Sequence, residues 1–145
     1  MSRETIAVAS DHAGFELKET LRGELADLGY DVLDLGAYST DSVDYPDYGK
    51  AMGEAIADGR VRRGVVVCGS GIGISIAANR NPKVRAALCW NEASARLSRQ
   101  HNDANVLALG ARLIDEGVAK TCLHTFLETE FEGGRHARRV AKLAQ

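Results

Sequence analysis

The sequence has no apolar run long enough to cross a bilayer, no excess charge of either sign, and no metal-type spacing among its few cysteines. Each absence removes a class of protein. A spanning helix needs about 20 consecutive apolar residues, and Met1-Ser-Arg-Glu-Thr5 leads within a few residues into a strand, with no apolar signal region. The expectation is a cytoplasmic protein with no membrane partner. Lys and Arg number 18 against 20 Asp and Glu, a net charge of −2, so there is no basic footprint and nucleic acid is not an expected partner. Three cysteines make an odd set that is not a disulfide framework and suits a reducing compartment. Cys89 and Cys122 lie in apolar surroundings and read as core residues. With no repeat, low-complexity tract or linker, residues 1–145 read as one domain.

What the chain does have is concentrated in Gly64-Val-Val-Val-Cys-Gly-Ser-Gly-Ile-Gly-Ile-Ser-Ile-Ala-Ala-Asn-Arg80. Val65, Val66 and Val67 form an unbroken β-branched run, the pattern of a strand buried on both faces of a parallel sheet. Cys68 ends it. Gly69, Gly71 and Gly73 follow at alternate positions, and Ile74 to Ala78 reads as an opening helix. Glycines let backbone N–H groups turn and approach an anion closely, and a helix N-terminus adds partial positive charge. The stretch therefore reads as an anion hole with a thiol at its lip.

Two nucleotide motifs are excluded. The dinucleotide fingerprint G-x-G-x-x-G needs its third glycine one place later and a carboxylate about twenty residues on, where this chain has Cys89 and Trp90. A P-loop needs Gly-Lys-Ser/Thr, and Gly73 is followed by Ile74 and Ser75. A thiol attacking phosphate would want an arginine inside the loop, where Ile72 and Ile74 stand. A developing oxyanion beside a thiolate fits better.

Read in order, Ile6 to Ser10 is a strand followed by Asp11-His12-Ala13-Gly14. Phe15, Leu17, Leu21, Leu25 and Leu28 recur at helical spacing until Gly29. Tyr30 to Leu35 reads as a second strand opening into a polar loop, Ala37 to Asp44. Pro46 is placed in the first turn of a helix that ends at Asp58-Gly59. After the central strand, Val84 to Leu88 reads as a strand, Glu92 to Gln100 as a helix leading to His101-Asn102-Asp103, and Val106 to Leu109 as the fifth strand. Asp115 to Glu130 reads as a helix, Gly133-Gly134 breaks it, and a last helix, about 134–145, carries Arg135, His136, Arg138 and Arg139. Strands alternating with helices predict an α/β fold, a doubly wound sandwich around a five-stranded parallel sheet. Ligands of such sheets bind beyond the carboxyl ends of the strands. Asp11, His12 and Cys68 are expected to converge there, with His101 completing a set of two histidines, an aspartate and a thiol near one sheet edge.

Paired groups of this kind suit proton transfer. A thiolate held at a helix N-terminus can act as nucleophile or base, and a base acting on a carbon acid needs an oxyanion hole for the enolate. Arg135 and Arg139, four apart, share one helical face and suit a phosphate. His124 and His136 carry no assignment.

The segments Ala9-Ser-Asp-His-Ala-Gly14, Asp44-Tyr-Pro-Asp-Tyr48, Cys68 to Asn79, Ser94 to Asp103 and Glu132-Gly-Gly-Arg-His136, in that order and nearly end to end, resemble the ribose-5-phosphate isomerase type B family, grouped with the subunits of galactose-6-phosphate isomerase. The resemblance implies a Rossmann-like three-layer α/β/α sandwich and a cofactor-free, metal-free enzyme interconverting D-ribose 5-phosphate and D-ribulose 5-phosphate through a cis-enediolate. It implies Cys68 as the base between C1 and C2. It implies the Gly69 to Gly73 loop, including Gly71, Ile72 and Ser70, where many members have threonine, as the hole for the enediolate. His101 matches the acid that opens the sugar ring, assisted by Asp11. Asn102 and Tyr45 match substrate contacts, and His12, Arg135 and Arg139 the phosphate site, joined by Arg112. The C-terminal helix is expected to reach a neighbouring subunit, giving a homodimer or dimer of dimers with a shared site. Two alternatives stay open: the same chemistry on a four-carbon or six-carbon sugar phosphate, and a non-catalytic binding subunit. Retention of Cys68 and His101 argues against the second.

Overall fold

The computed structural model describes residues 3–144. Five strands, β1 (Thr5–Ser10), β2 (Asp31–Asp34), β3 (Arg63–Cys68), β4 (Ala86–Leu88) and β5 (Val106–Gly110), form one all-parallel sheet in the order β2-β1-β3-β5-β4. The helices are α1 (Phe15–Asp27), α2 (Tyr45–Ala57), α3 (Ile72–Asn79), α4 (Glu92–Asn102), α5 (Glu116–Glu128) and α6 (Arg135–Leu143). The expected three-layer α/β/α sandwich is the fold observed. Gln145, at the end of the expected C-terminal helix, lies outside the described residues, as do Met1 and Ser2.

Alternation along each central strand feeds two cores. On one face Ile6, Val8, Val65, Val67, Leu107 and Leu109 pack under α1, α4 and α5, whose Leu21, Leu25, Leu123 and Phe126 are fully buried. On the other, Ala7, Ala9, Val66 and Ala108 meet Met52 and Ala55 of α2 and Ile74 and Ala78 of α3. Cys89 and Cys122 are buried in the first core. Burial pushes both thiols up, Cys122 to about 11, with the neighbouring Cys89 adding to the shift. They are core thiols, as the sequence indicates.

Element boundaries differ where side chains take over from the ladder. The strand expected over Val84 to Leu88 is three residues long: Val84 N–H turns to the Asn81 carbonyl and Arg85 N–H to the Asn105 side chain. The helix expected to open at Ile74 begins at Ile72, so two loop residues supply its first turn. The helix expected to stop at Gln100 continues to Asn102, which places His101 and Asn102 in its last turn.

Strands β1 and β3 are neighbours, but the chain leaves β1 for the edge through α1 on one face and returns to β3 through α2 on the other. The gap between their carboxyl ends is the switch point where open parallel sheets bind ligands.

Candidate active site

Cys68 closes β3 at that switch point, and the loop behind it curls back over the sulfur. Gly71 N–H donates to Cys68 Sγ at 3.2 Å, so thiol and glycine loop share one face of the sheet edge. Gly71 has φ 78°, the left-handed conformation that caps α3, and a Cβ there would sit 2.6 Å from Leu88 Cδ1 and 2.8 Å from the Leu109 carbonyl carbon. Ser70 Oγ accepts from Ile72 N–H at 3.1 Å. Among the described residues no group accepts from the N–H of Gly73 or Ile74, first-turn donors that point out of the helix start. A sulfur that accepts one N–H bond beside open N–H donors can receive a proton while the donors stabilise an oxyanion.

Other residues reach this rim from adjacent elements. Asp11, at the end of β1, is nearly buried; its Oδ1 accepts from Gly14 N–H at 3.0 Å, and its backbone N–H bonds Val67 O. His12 Nδ1 accepts from Val43 N–H at 3.1 Å, which ties the ring to the loop before α2 and leaves Nε2 available. Tyr45, in the first turn of α2, lies against Gly73, where a Cβ would meet its ring at 2.6 Å. Arg112 follows β5. Its backbone N–H bonds Gly69 O, its guanidinium lies against Gly69, and it makes no ion pair among the described residues. Asp11, His12, Tyr45, Cys68, Gly69, Ser70, Gly71, Ile72, Gly73 and Arg112 therefore gather at the carboxyl edge of the sheet.

His101 does not join them, contrary to the expectation of one four-group cluster within the chain. In a parallel sheet a helix leaving β4 must run back to the amino edge before β5 can start, so the C-terminus of α4 lies at the wrong end. Arg85, just before β4, bonds the Asp103 carbonyl at 2.8 Å and confirms the placement. Cys68 is level with Gly110, and β5 rises about 3.3 Å per residue from Val106, so roughly 13 Å of sheet separates the two edges. Asn102 shares that edge, lining a cavity with Asn79, Arg85 and Leu143. Arg135 and Arg139 lie on α6, which packs against α4. Four of the fourteen expected site residues thus form a second group, remote from the first in the same chain.

Two residues without an assignment from sequence belong to that second group. His136 stacks on His101, ring centroids 4.3 Å apart and planes 16° from parallel, and Glu132 Oε1 lies 3.9 Å from His101 Nε2 and 3.7 Å from His136 Nε2. Burial, with the charges of His101 and Arg135, lowers the His136 pKa from its ordinary value. The signal available in the sequence was Gly133-Gly134, which turns the chain between Glu132 and His136.

A thiol at the mouth of a helix N-terminus, at the switch point of a doubly wound parallel sheet, defines an α/β protein that handles a small anionic ligand. The family model described as "Ribose/Galactose Isomerase" matches residues 6–143. Ribose-5-phosphate isomerase B of Escherichia coli strain K12 is 45% identical over 135 residues, 93% of this chain and 91% of the relative. D-erythrulose-4-phosphate isomerase of Pectobacterium atrosepticum is 41% identical, covering 96% and 92%. The solved structure of Clostridium thermocellum ribose-5-phosphate isomerase B superposes with a TM-score of 0.95 at 49% identity, covering 97% of this chain and 95% of that one. The chain belongs to the ribose/galactose isomerase family.

Proposed function

We propose that this protein is an aldose-ketose isomerase that interconverts D-ribose 5-phosphate and D-ribulose 5-phosphate, working as a homodimer or dimer of dimers in the cytoplasm. The observation that carries the reading is the Gly71 N–H bonded to Cys68 Sγ at 3.2 Å, beside the open N–H donors of Gly73 and Ile74. Relatives covering nearly the whole chain carry ribose-5-phosphate isomerase names.

In this mechanism the Cys68 thiolate takes the C2 proton of the open-chain aldose. Electrons move onto O1, the loop N–H groups stabilise the cis-enediolate, the O2 hydroxyl proton passes to O1, and the proton held on Cys68 returns at C1 as the O2 carbonyl forms. Removing a proton from an unactivated sugar carbon is slow, and each oxyanion donor contributes on the order of 3 kcal/mol. Ring opening comes first: His101 protonates the ring oxygen while Asp11 accepts the proton of the O1 hydroxyl. Tyr45 and Asn102 contact the sugar, and His12, Arg112, Arg135 and Arg139 hold the phosphate, guanidiniums matching its oxygens in pairs.

Because His101, Asn102, Arg135 and Arg139 lie at the amino edge, they act on the Cys68 of a second copy. Tyr45, Ile72 and Ile76 leave an exposed apolar face beside the glycine loop, 43%, 49% and 50% accessible, which suits burial against that copy.

The test is conversion of ribose 5-phosphate by Cys68→Ser and Cys68→Ala, read with exchange of the transferred proton in D2O. Loss of turnover by roughly 10²- to 10⁴-fold in both supports the base assignment; turnover near that of the parent in both removes it. A second reading keeps the chemistry and shortens the sugar, favoured by the erythrulose-4-phosphate isomerase among the relatives. Ranking kcat/KM over four-, five- and six-carbon phosphates separates the two, and phosphosugar binding without proton exchange would indicate a non-catalytic subunit.

A further inference from the structure

Glu132 has no part in the chemistry above, yet the backbone delivers it to His101. Its N–H donates to the Gln100 carbonyl at 3.1 Å, fastening the segment after α5 to the residue before His101. Gly133 (φ 68°) and Gly134 (φ 57°) then reverse the chain, and His136 N–H bonds Gly133 O at 3.1 Å, so Glu132 and His136 both face the same imidazole.

Two histidines and a glutamate with donor atoms within 4.8 Å of one another form a set of metal-ligand type. The rings here are nearly parallel, so their lone pairs run side by side and do not converge on one point. Arg135 and Arg139, close enough to disfavour a second positive charge on His136, would also oppose a cation. The arrangement suits a different purpose. The His101 ring is 41% exposed and has no hydrogen-bond partner among the described residues, Glu132 standing 3.9 Å away, while an acid that delivers a proton must be held within about 0.5 Å of its productive position. His136, nine-tenths buried, offers a fixed platform for the ring.

We propose that Glu132 is a positioning residue for His101, its carboxylate fixing the imidazole against the His136 ring so that the pair enters the neighbouring copy's pocket in one orientation. A shift of about 1 Å turns the 3.9 Å approach into a charge-assisted hydrogen bond. This rests on the reading of His101 as the ring-opening acid.

That step can be isolated from the carbon-acid step by choice of substrate. D-ribulose 5-phosphate stays open-chain, because the hydroxyl that would close its five-membered ring is esterified, so deuterium exchange at its C1 in D2O reports Cys68 and the loop alone. Formation of ribose 5-phosphate in its cyclic form needs His101 as well. Glu132→Gln, with its thermal midpoint checked against the parent, is expected to slow net conversion of ribose 5-phosphate about 10- to 100-fold, with little change in KM. Exchange at C1 of ribulose 5-phosphate should stay within about twofold of the parent, because a substrate already open needs no placement of His101. Glu132→Asp, which keeps the charge, should recover part of the loss. Conversion and exchange falling together in Glu132→Gln, or conversion unchanged, would overturn the assignment. A parent enzyme that neither converts nor exchanges these sugars would instead overturn the functional reading beneath it.

Discussion

Replacing Gly71 with alanine asks stability and catalysis of the same atom. The residue holds φ 78°, and a left-handed L-residue costs about 1–2 kcal/mol. The new methyl would also lie 2.6 Å from Leu88 Cδ1 and 2.8 Å and 2.9 Å from the Leu109 carbonyl carbon and Gly110 nitrogen. Two of these are main-chain atoms of the β5 end, which cannot swing aside, so overpacking adds about 1–3 kcal/mol. The sum, roughly 2–5 kcal/mol, corresponds to a fall in thermal midpoint on the order of 10 °C for a chain of this size. Gly59→Ala is the control. It has φ 75° with nothing within 4 Å of the added methyl, so strain acts alone and the expected fall is about 3–6 °C. Relief of the Gly71 clash would move the N–H now 3.2 Å from Cys68 Sγ and, with it, the adjoining start of α3 that carries the open Gly73 and Ile74 N–H groups, and losing one such oxyanion donor lowers kcat about 10²- to 10³-fold. Differential scanning calorimetry and ribose 5-phosphate turnover, measured on both variants, give the comparison. A Gly71→Ala protein that melts with Gly59→Ala and turns over like the parent would refute both the packing and the oxyanion reasoning.

Other perturbations separate the remaining parts. Arg135→Ala and Arg139→Ala should each raise KM about tenfold or more, with a smaller effect on kcat, because a charge-assisted hydrogen bond is worth about 1.5–3 kcal/mol; steady-state kinetics would show it. Cys122→Ala should lower the thermal midpoint by a few degrees through a small cavity, about 1 kcal/mol, and leave turnover intact. At the amino edge, hydrogen bonds from Arg63 hold the Glu4 carboxyl below its ordinary value of 4.5, against the opposing effect of burial. The folded chain binds that proton less readily than the unfolded one, so the contribution is complete above the ordinary value and lost as pH falls through the folded value. Thermal midpoints measured against pH should therefore show a flatter acid limb in Glu4→Gln.

The central strand and the site at its end were legible because local chemistry alone specifies them. Val65 to Val67 can be buried on both faces only in the middle of a parallel sheet, and Cys68 with three alternating glycines has few uses other than cradling an anion. Strand β4 was drawn too long because the Asn105 side chain, twenty residues on, takes the Arg85 N–H that a ladder would use. The insertion of β5 between β3 and β4 is a non-local pairing that periodicity does not encode. His101 was recognised by type and misplaced by direction, since a helix that follows a parallel strand returns its last turn to the opposite edge. Glu132 and His136 escaped notice because their meaning arises from a stack between residues 35 apart in the chain, with only a double glycine to hint at the turn. Lys18, fully buried among the leucines of α1, is not legible from the helical pattern either, because the carboxylate that meets its ammonium at 2.8 Å, Asp34, lies sixteen residues on.

The proposed site is assembled from the carboxyl edge of one copy and the amino edge of another. Two inactive variants, Cys68→Ser and His101→Asn, each spoil a different half. Mixed in equal amounts, unfolded together and refolded, they should form heterodimers with one intact and one doubly damaged site, recovering about one quarter of the parent's ribose 5-phosphate isomerisation. A mixture that stays as inactive as its components, while size-exclusion chromatography shows that dimers have reformed, would contradict the shared site.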